Sequence, residues 1–144
     1  MPKDPEKRKY MFTDDMKFLQ KAVVYHPKQD KFLALRRTST AHSRPNCWDL
    51  PGGNVLFGEN HLHSLTKEIA EETSLKVKNI LPIQVVTDYR KSTYSLFIGY
   101  SYKATSSRVK LSDEHSEYKW VTKTEFLKLD SAGFLRDLVN EIDK

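Results

Sequence analysis

Apolar and polar positions alternate in short runs along most of the chain, and the period of each run predicts an element. Residues 18–25 and 31–36 carry the alternation of half-buried strands, separated by the turn-forming stretch His26-Pro27-Lys28-Gln29-Asp30. The polar segment 39–46 reads as a loop. Residues 47–50 form a short strand that Pro51-Gly52-Gly53 stops, because proline withholds a ladder donor and glycine admits positive φ. The period then changes: Leu62, Leu65 and Ile69 recur at spacings of three and four, which predicts a helix over 60–73 with one buried face. Residues 77–87 and 93–104 are rich in β-branched and aromatic side chains and predict two longer strands, with a short one at 118–121. Closing helices are predicted at 124–129, capped by Thr122 or Thr124, and at 134–142, entered after Gly133. The order is βββαβββα or close to it.

Composition narrows the class. A chain of 144 residues, 38% hydrophobic and 30% charged, matches one soluble globular domain over 1–144, with residues 1–16 a frayed lead-in that offers nothing to bury. No apolar run approaches the ~20 residues of a membrane span, and residues 1–9 lack the hydrophobic stretch of a secretory signal. Cys47 is the single cysteine, which excludes an internal disulfide and agrees with a reducing, cytoplasmic setting. The net charge of +5 attracts anions in general. Because the basic residues are scattered rather than aligned in a stripe, nucleic acid ranks last as a partner and a small phosphorylated molecule fits equally well.

Chemistry concentrates on the predicted helix. Glu68, Glu71 and Glu72 stand at i, i+3 and i+4, with Cβ atoms roughly 5–6 Å apart on one face. Like charges at this spacing are unfavourable, and the helix dipole is negative at that end. A hard cation repays the cost: several carboxylate oxygens suit Mg²⁺, with Mn²⁺ as the alternative, better than Zn²⁺. A solvated acidic face has the same spacing, so the spacing alone leaves both readings open.

The surrounding residues add a second signal. Gly53, Glu59, Lys67, Glu68, Ile69, Glu71, Glu72, Ser74 and Leu75 follow the pattern G-x5-E-x7-R-E-U-x-E-E-x-G-U, where U is a bulky aliphatic residue. This 23-residue stretch resembles the Nudix box, and the Trp48 to Gly53 lead-in is similar to the family's usual entry. Two positions depart from it: Lys67 replaces arginine, and Ser74 replaces the glycine that takes a left-handed cap. Serine there implies strain or a different cap, and lysine a weaker hold on a box glutamate.

The resemblance implies an α+β Nudix fold of the α/β/α sandwich kind: a mixed β-sheet with the box helix and a C-terminal helix packed on it. It implies metal coordination by Glu68, Glu71, Glu72 and the Gly53 carbonyl, with Glu59 steadying the helix start or pairing with Lys67. The general base is Glu68 itself or a later glutamate, for which Glu114 and Glu117 are candidates. Arg36 and Arg37 at the end of the second strand are candidate phosphate ligands, and Trp48, Phe57 and Tyr89 candidate stacking residues, although Trp48 reads better as core. The five histidines share no ligand spacing.

The implied activity is metal-dependent hydrolysis of a diphosphate bond in a nucleoside diphosphate linked to another group, of the nucleoside triphosphate or nucleotide-sugar type. The markers of reduced-dinucleotide and ADP-ribose enzymes are missing. The alternative is a Nudix-like module that binds or senses a nucleotide without cutting it. Family members often pair as homodimers.

Overall fold

The computed structural model describes residues 15–56 and 58–142. Phe57, one of the candidate stacking residues, and residues 1–14 of the expected lead-in lie outside them. Strand β1 (Asp15–Tyr25) is followed by β2 (Phe32–Arg37), β3 (Trp48–Asp49) and β4 (Gly52–Asn54). Helix α1 (His61–Thr73) leads to β5 (Val77–Arg90), β6 (Thr93–Ala104) and β7 (His115–Val121), and the order closes with α2 (Lys123–Leu127) and α3 (Gly133–Asn140).

The strands form one mixed sheet in the order β3-β2-β1-β6-β5, with β4 added to β1 and β7 to β2. β1 runs parallel to β6 from Asp15↔Thr93 to Tyr25↔Lys103, while β5 and β6 pair antiparallel. Both faces of the central strands are covered. Ala22, Val24, Leu33 and Leu35 point to one side, where Leu65 and Ile69 of α1 pack on them. Val23, Phe32 and Ala34 point to the other, against Phe126, Leu135, Leu138 and Val139 of the closing helices. A strand's period of two therefore supplies two cores at once, and the architecture is the expected α/β/α sandwich.

The differences from the pattern reading are local. Asp15 and Met16, expected in the frayed segment, belong to β1, because the Asp15 N–H donates to the Ser92 carbonyl at 3.0 Å and the ladder to β6 continues through them. Gly52–Asn54, read as a turn, is a short strand antiparallel to β1. β5 extends to Arg90 and β7 begins at His115, because their partners β6 and β2 continue that far. Leu62, expected on the buried face of the helix, is 38% exposed; Ser64, next to Leu65, takes the buried place instead. Of the two candidate caps, Thr122 is the one used: it accepts from the Glu125 N–H at 3.1 Å while Glu125 accepts from the Thr122 N–H at 2.8 Å, a reciprocal capping box.

Two glycines allow elements to meet. Gly52 has φ +142°, and a Cβ there would fall 2.1 Å from the Gln20 carbonyl oxygen of β1. Gly99 on β6 lies under α3, where a Cβ would fall 2.0 Å from Leu138 Cδ1. We expect Gly52→Ala to be the costlier change, because the obstacle is backbone in a paired strand. A loss of about 3 kcal/mol or more in urea unfolding combines the strained φ with the clash. A loss under 1 kcal/mol would contradict this packing.

Candidate active site

The box helix is set by its first turn. The Asn60 side chain accepts from the His63 N–H at 3.0 Å, capping α1. Glu59 accepts from the Leu56 N–H at 2.7 Å and from the Ser64 hydroxyl at 3.3 Å, so it ties the incoming loop to the helix start and does not pair with Lys67. At the other end Ser74 holds the left-handed conformation at φ 64°, donates its N–H to Ala70, and donates its hydroxyl to the Lys110 carbonyl at 3.2 Å. The cap geometry expected of glycine is kept, with serine in a conformation costly for a side-chain-bearing residue.

The buried stripe of α1 does not end in an aliphatic residue. Leu65 and Ile69 are followed on the same face by Glu72, only 4% exposed, whose carboxylate accepts from the Gly52 N–H at 3.1 Å. Glu68, one turn earlier, is half-buried and shares a hydrogen bond with Glu72. A Cβ on Gly53 would stand 3.2 Å from Glu68 Oε2, so the backbone comes directly up to the carboxylate pair. Burial, with repulsion from Glu68 and Glu114, pushes the Glu72 carboxyl up to about 8 despite Lys21 and the Gly52 N–H, which pull the other way. Burial and the charge of Glu71 push Glu68 up as well. The two carboxyls therefore hold a proton between them near neutral pH.

Glu71 is not part of this pair. It is 56% exposed and reaches Lys67 Nζ at 4.0 Å, an exposed pair of little energetic consequence. Among the described residues, no three acidic, histidine or cysteine side chains are gathered into a group that could hold a metal ion. The expected convergence of three carboxylates is thus two brought together and a third turned to solvent.

The pair opens into a cavity of about 410 Å³ that four cationic side chains, Lys17, Lys21, Arg37 and Arg44, also line. Lys21 is buried in β1 and bonds to Asp49 at 3.0 Å and to the Leu50 carbonyl at 3.2 Å. Arg37 reaches Asp49 from the other side at 3.2 Å. Burial pushes the Asp49 carboxyl up, but the charge and hydrogen bond of Lys21, the Leu50 N–H and Arg37 outweigh it and hold it low. His115 also lines the cavity, buried, with its Nδ1 unpartnered. Burial holds its imidazole below the usual histidine range despite the nearby Asp49 and Glu114.

The structure separates paired sequence candidates. Arg37 faces the cavity, whereas Arg36 pairs with Glu117 at 3.0 Å and bonds to the Asn46 carbonyl outside it. Glu114 lines the cavity, and Glu117 does not. Trp48 is core, 7% exposed, with Lys119 Nζ 5.0 Å over its ring and one edge on the cavity. Tyr89 is not among the lining residues. Lys21, Asp49, Arg44, His115 and Phe134 were not singled out as site residues by the pattern reading. For Lys21 and Asp49 a signal existed: each is a charge set against apolar residues, before Ala22-Val23-Val24 and between Trp48 and Leu50.

A model of the NUDIX domain matches residues 20–141, most of the chain. The chain belongs to the Nudix family. A solved MutT protein from Methanosarcina mazei Go1 shares the fold with a TM-score of 0.75 at 26% identity, covering 90% of this chain and 94% of that one. The nucleoside triphosphatase NudI of Escherichia coli is 28% identical over 97 residues, 60% of this chain and 69% of that protein. The m7GpppN-mRNA hydrolase NUDT17 of Xenopus laevis is 36% identical over 59 residues, and that match spans 41% of this chain but 20% of the relative's own length. The expected Nudix, MutT-like membership stands on these matches. No helix among the described residues is long and apolar enough to cross a membrane.

The raised Glu72 carboxyl has a signed consequence. The folded state holds this proton up to about pH 8, whereas an unfolded chain releases it near the ordinary value of 4.5. Glu72 therefore subtracts stability progressively as pH rises from 4.5 to 8. With divalent ions chelated, the urea midpoint of Glu72→Gln should gain on that of the parent from pH 5 to about pH 8 and level off above it. Midpoints that stay parallel would show that the carboxyl is not perturbed.

Proposed function

We propose that this Nudix protein hydrolyses a diphosphate bond in a nucleoside diphosphate linked to another group, of the nucleoside triphosphate or nucleotide-sugar type, with the help of a divalent cation. The observation that carries the reading is one cavity lined both by the carboxylates of Glu68 and Glu72 and by four cationic side chains, Lys17, Lys21, Arg37 and Arg44. Such a surface suits a ligand whose phosphates carry negative charge along with a bound cation. The similarity to an enzyme named as a nucleoside triphosphatase favours the triphosphate over the nucleotide sugar.

The residues present fit a hard cation. Two carboxylates held against the backbone of Gly52 and Gly53 share a proton that a cation would displace, and all the donors are oxygen. Glu68, Glu72 and the Gly53 carbonyl would hold it, with Glu71 reaching in from Lys67 when the extra positive charge offsets repulsion. Mg²⁺ is the preferred ion and Mn²⁺ the alternative. When bound, such an ion neutralises phosphate oxygens and acidifies water.

The chain's own groups do the rest. Arg37, fixed by Asp49 and by its Nε bond to the Ser43 carbonyl at 2.8 Å, presents a guanidinium with little freedom left to lose on meeting a phosphate. Lys21 is locked to Asp49 and holds positive charge beside the pair. Glu114, on the cavity wall near Glu68 and Glu72, accepts the proton of the attacking water. The water oxygen bonds to phosphorus as the bridging P–O bond breaks, giving a monophosphate and a second phosphate product. Lys67 and Glu59 act through the helix: the first neutralises Glu71, and the second pins the helix start.

A phosphate-release assay over nucleoside triphosphates and nucleotide sugars tests the reading. Turnover should require Mg²⁺ or Mn²⁺, vanish with a chelator, and fall at least about 100-fold in Glu72→Gln, the scale on which groups stabilising transition-state charge act. Glu114→Gln should lower kcat by about 10²–10⁴-fold while the ion still binds. A Glu72→Gln variant as fast as its parent would remove the assignment. Tight nucleotide binding with no turnover under either ion would instead identify a sensing module.

A further inference from the structure

Gly99 and Phe97 stand two residues apart on β6 and so face the same side of the sheet. Leu138 of α3 seats on Gly99, and four residues earlier on the same helix face Phe134 meets Phe97. The two rings are stacked, with centroids 4.3 Å apart and planes 12° from parallel. The close approach at Gly99 thus fixes the plane of Phe134 as well as the position of its helix. Behind the two rings is a narrow crevice of about 10 Å³, lined also by Lys21 and by Gln84, whose Oε1 is buried and unpartnered.

Phe134 lines the cavity that also holds Glu68, Glu72 and Gly53. The Arg44 guanidinium carbon lies over its ring, 5.6 Å from the centroid. Arg44 comes from the loop between β2 and β3 and has φ 47°. That loop is held at its other points: Arg37 Nε donates to the Ser43 carbonyl, Arg36 Nε to the Asn46 carbonyl, and the Asn46 N–H to the Thr38 carbonyl. The backbone is anchored, while the exposed Arg44 side chain makes no hydrogen bond or ion pair among the described residues and rests on the ring.

Resting on the reading of the cavity as a nucleotide diphosphate site, we propose that Phe134 is the residue that recognises the nucleobase. A flat heterocycle stacks on the cavity face of its ring, taking the place of the Arg44 guanidinium, which swings toward the phosphates. Three observations favour a base over another group. The ring is presented flat and backed by a second ring, so stacking needs no rearrangement of the sheet or of α3. Its present cover, the exposed Arg44 guanidinium, is held there by no hydrogen bond or ion pair among the described residues. The crevice beneath is lined by Val86, Ile98, Gly99 and Leu138 together with Lys21 and the buried Gln84, so the platform sits in a mainly apolar surround. Of the aromatics with sequence claims to this role, Trp48 has Lys119 over its ring and Tyr89 lies off the cavity, so neither offers such a face. The cavity volume of about 410 Å³ falls within the range that small-molecule sites occupy.

The test measures binding without turnover, so it is independent of whether the protein hydrolyses anything. Calorimetry with adenosine and guanosine monophosphates is compared with ribose 5-phosphate, which has the same phosphate and sugar but no base. The parent should bind the nucleotides about tenfold or more tighter than ribose 5-phosphate, in the range base stacking supplies. Phe134→Leu, which keeps an apolar contact with Phe97 and Leu138, should lose that preference, and Phe134→Trp should keep it. Arg44→Ala should preserve or increase it, since the ring face is then uncovered. Equal affinity of the parent for both ligand classes, or an undiminished preference in a folded Phe134→Leu, overturns the proposal. Loss of all diphosphate hydrolysis in the parent, with the base preference intact, would instead sink the hydrolase reading and leave this one standing.

Discussion

The contact between Glu72 and the Gly52 N–H joins the two halves of the site. It is one hydrogen bond of 3.1 Å, but both partners are committed by forces that do not involve each other. Gly52 sits where it does because β4 pairs with β1 and no side chain fits against the Gln20 carbonyl. Glu72 sits where it does because Leu65 and Ile69 of the same stripe are buried on the sheet. Two apolar residues thus carry a carboxyl into a place it would not choose, and the N–H is among the few compensations it meets there. Remove either commitment and the helix has no reason to present Glu68 and Glu72 to the cavity.

The electrostatics follow the same division of labour. Asp49 is as buried as Glu72, yet its carboxyl is held low while that of Glu72 is pushed up. The difference is the number of donors: Lys21, Arg37 and the Leu50 N–H converge on Asp49, whereas Glu72 has one backbone N–H and the nearby charge of Lys21 against two acidic neighbours. One carboxylate is a permanent anchor for cations. The other is left wanting positive charge, which makes it the one suited to exchange a proton for an ion.

Much of this was legible in the sequence where period and chemistry coincide. The α/β/α layering follows from alternate residues of the β1 and β2 runs, and the spacing of Leu62, Leu65 and Ile69 placed the helix within one residue at its start. Glu72 was legible twice, as a box glutamate and as the continuation of the Leu65, Ile69 stripe. What escaped was set by tertiary pairing. The strand at Gly52–Asn54 has no alternation of its own and exists because β1 offers an edge. The choice of Arg37 over Arg36, and of Glu114 over Glu117, depends on which residue of an adjacent pair or short loop the β2–β7 register turns inward. Phe134 carries no local sign of its role, since its partner ring is on a strand more than thirty residues earlier.

The parallel pairing of β1 with β6 also governs how the protein is made. Asp15 and its partner Thr93 are separated by 78 residues, so a ribosome adding about 5–20 residues each second leaves β1 without that neighbour for roughly 4–16 s. During the wait Ala22, Val23 and Val24, fully buried in the finished protein, have only the β2 and β4 side to pair with. The carboxylate helix emerges inside this interval, before the strand carrying Phe97 exists. Both walls of the cavity are therefore completed only late in synthesis, and β2 waits longer still, since Phe32 pairs with Val121 of β7.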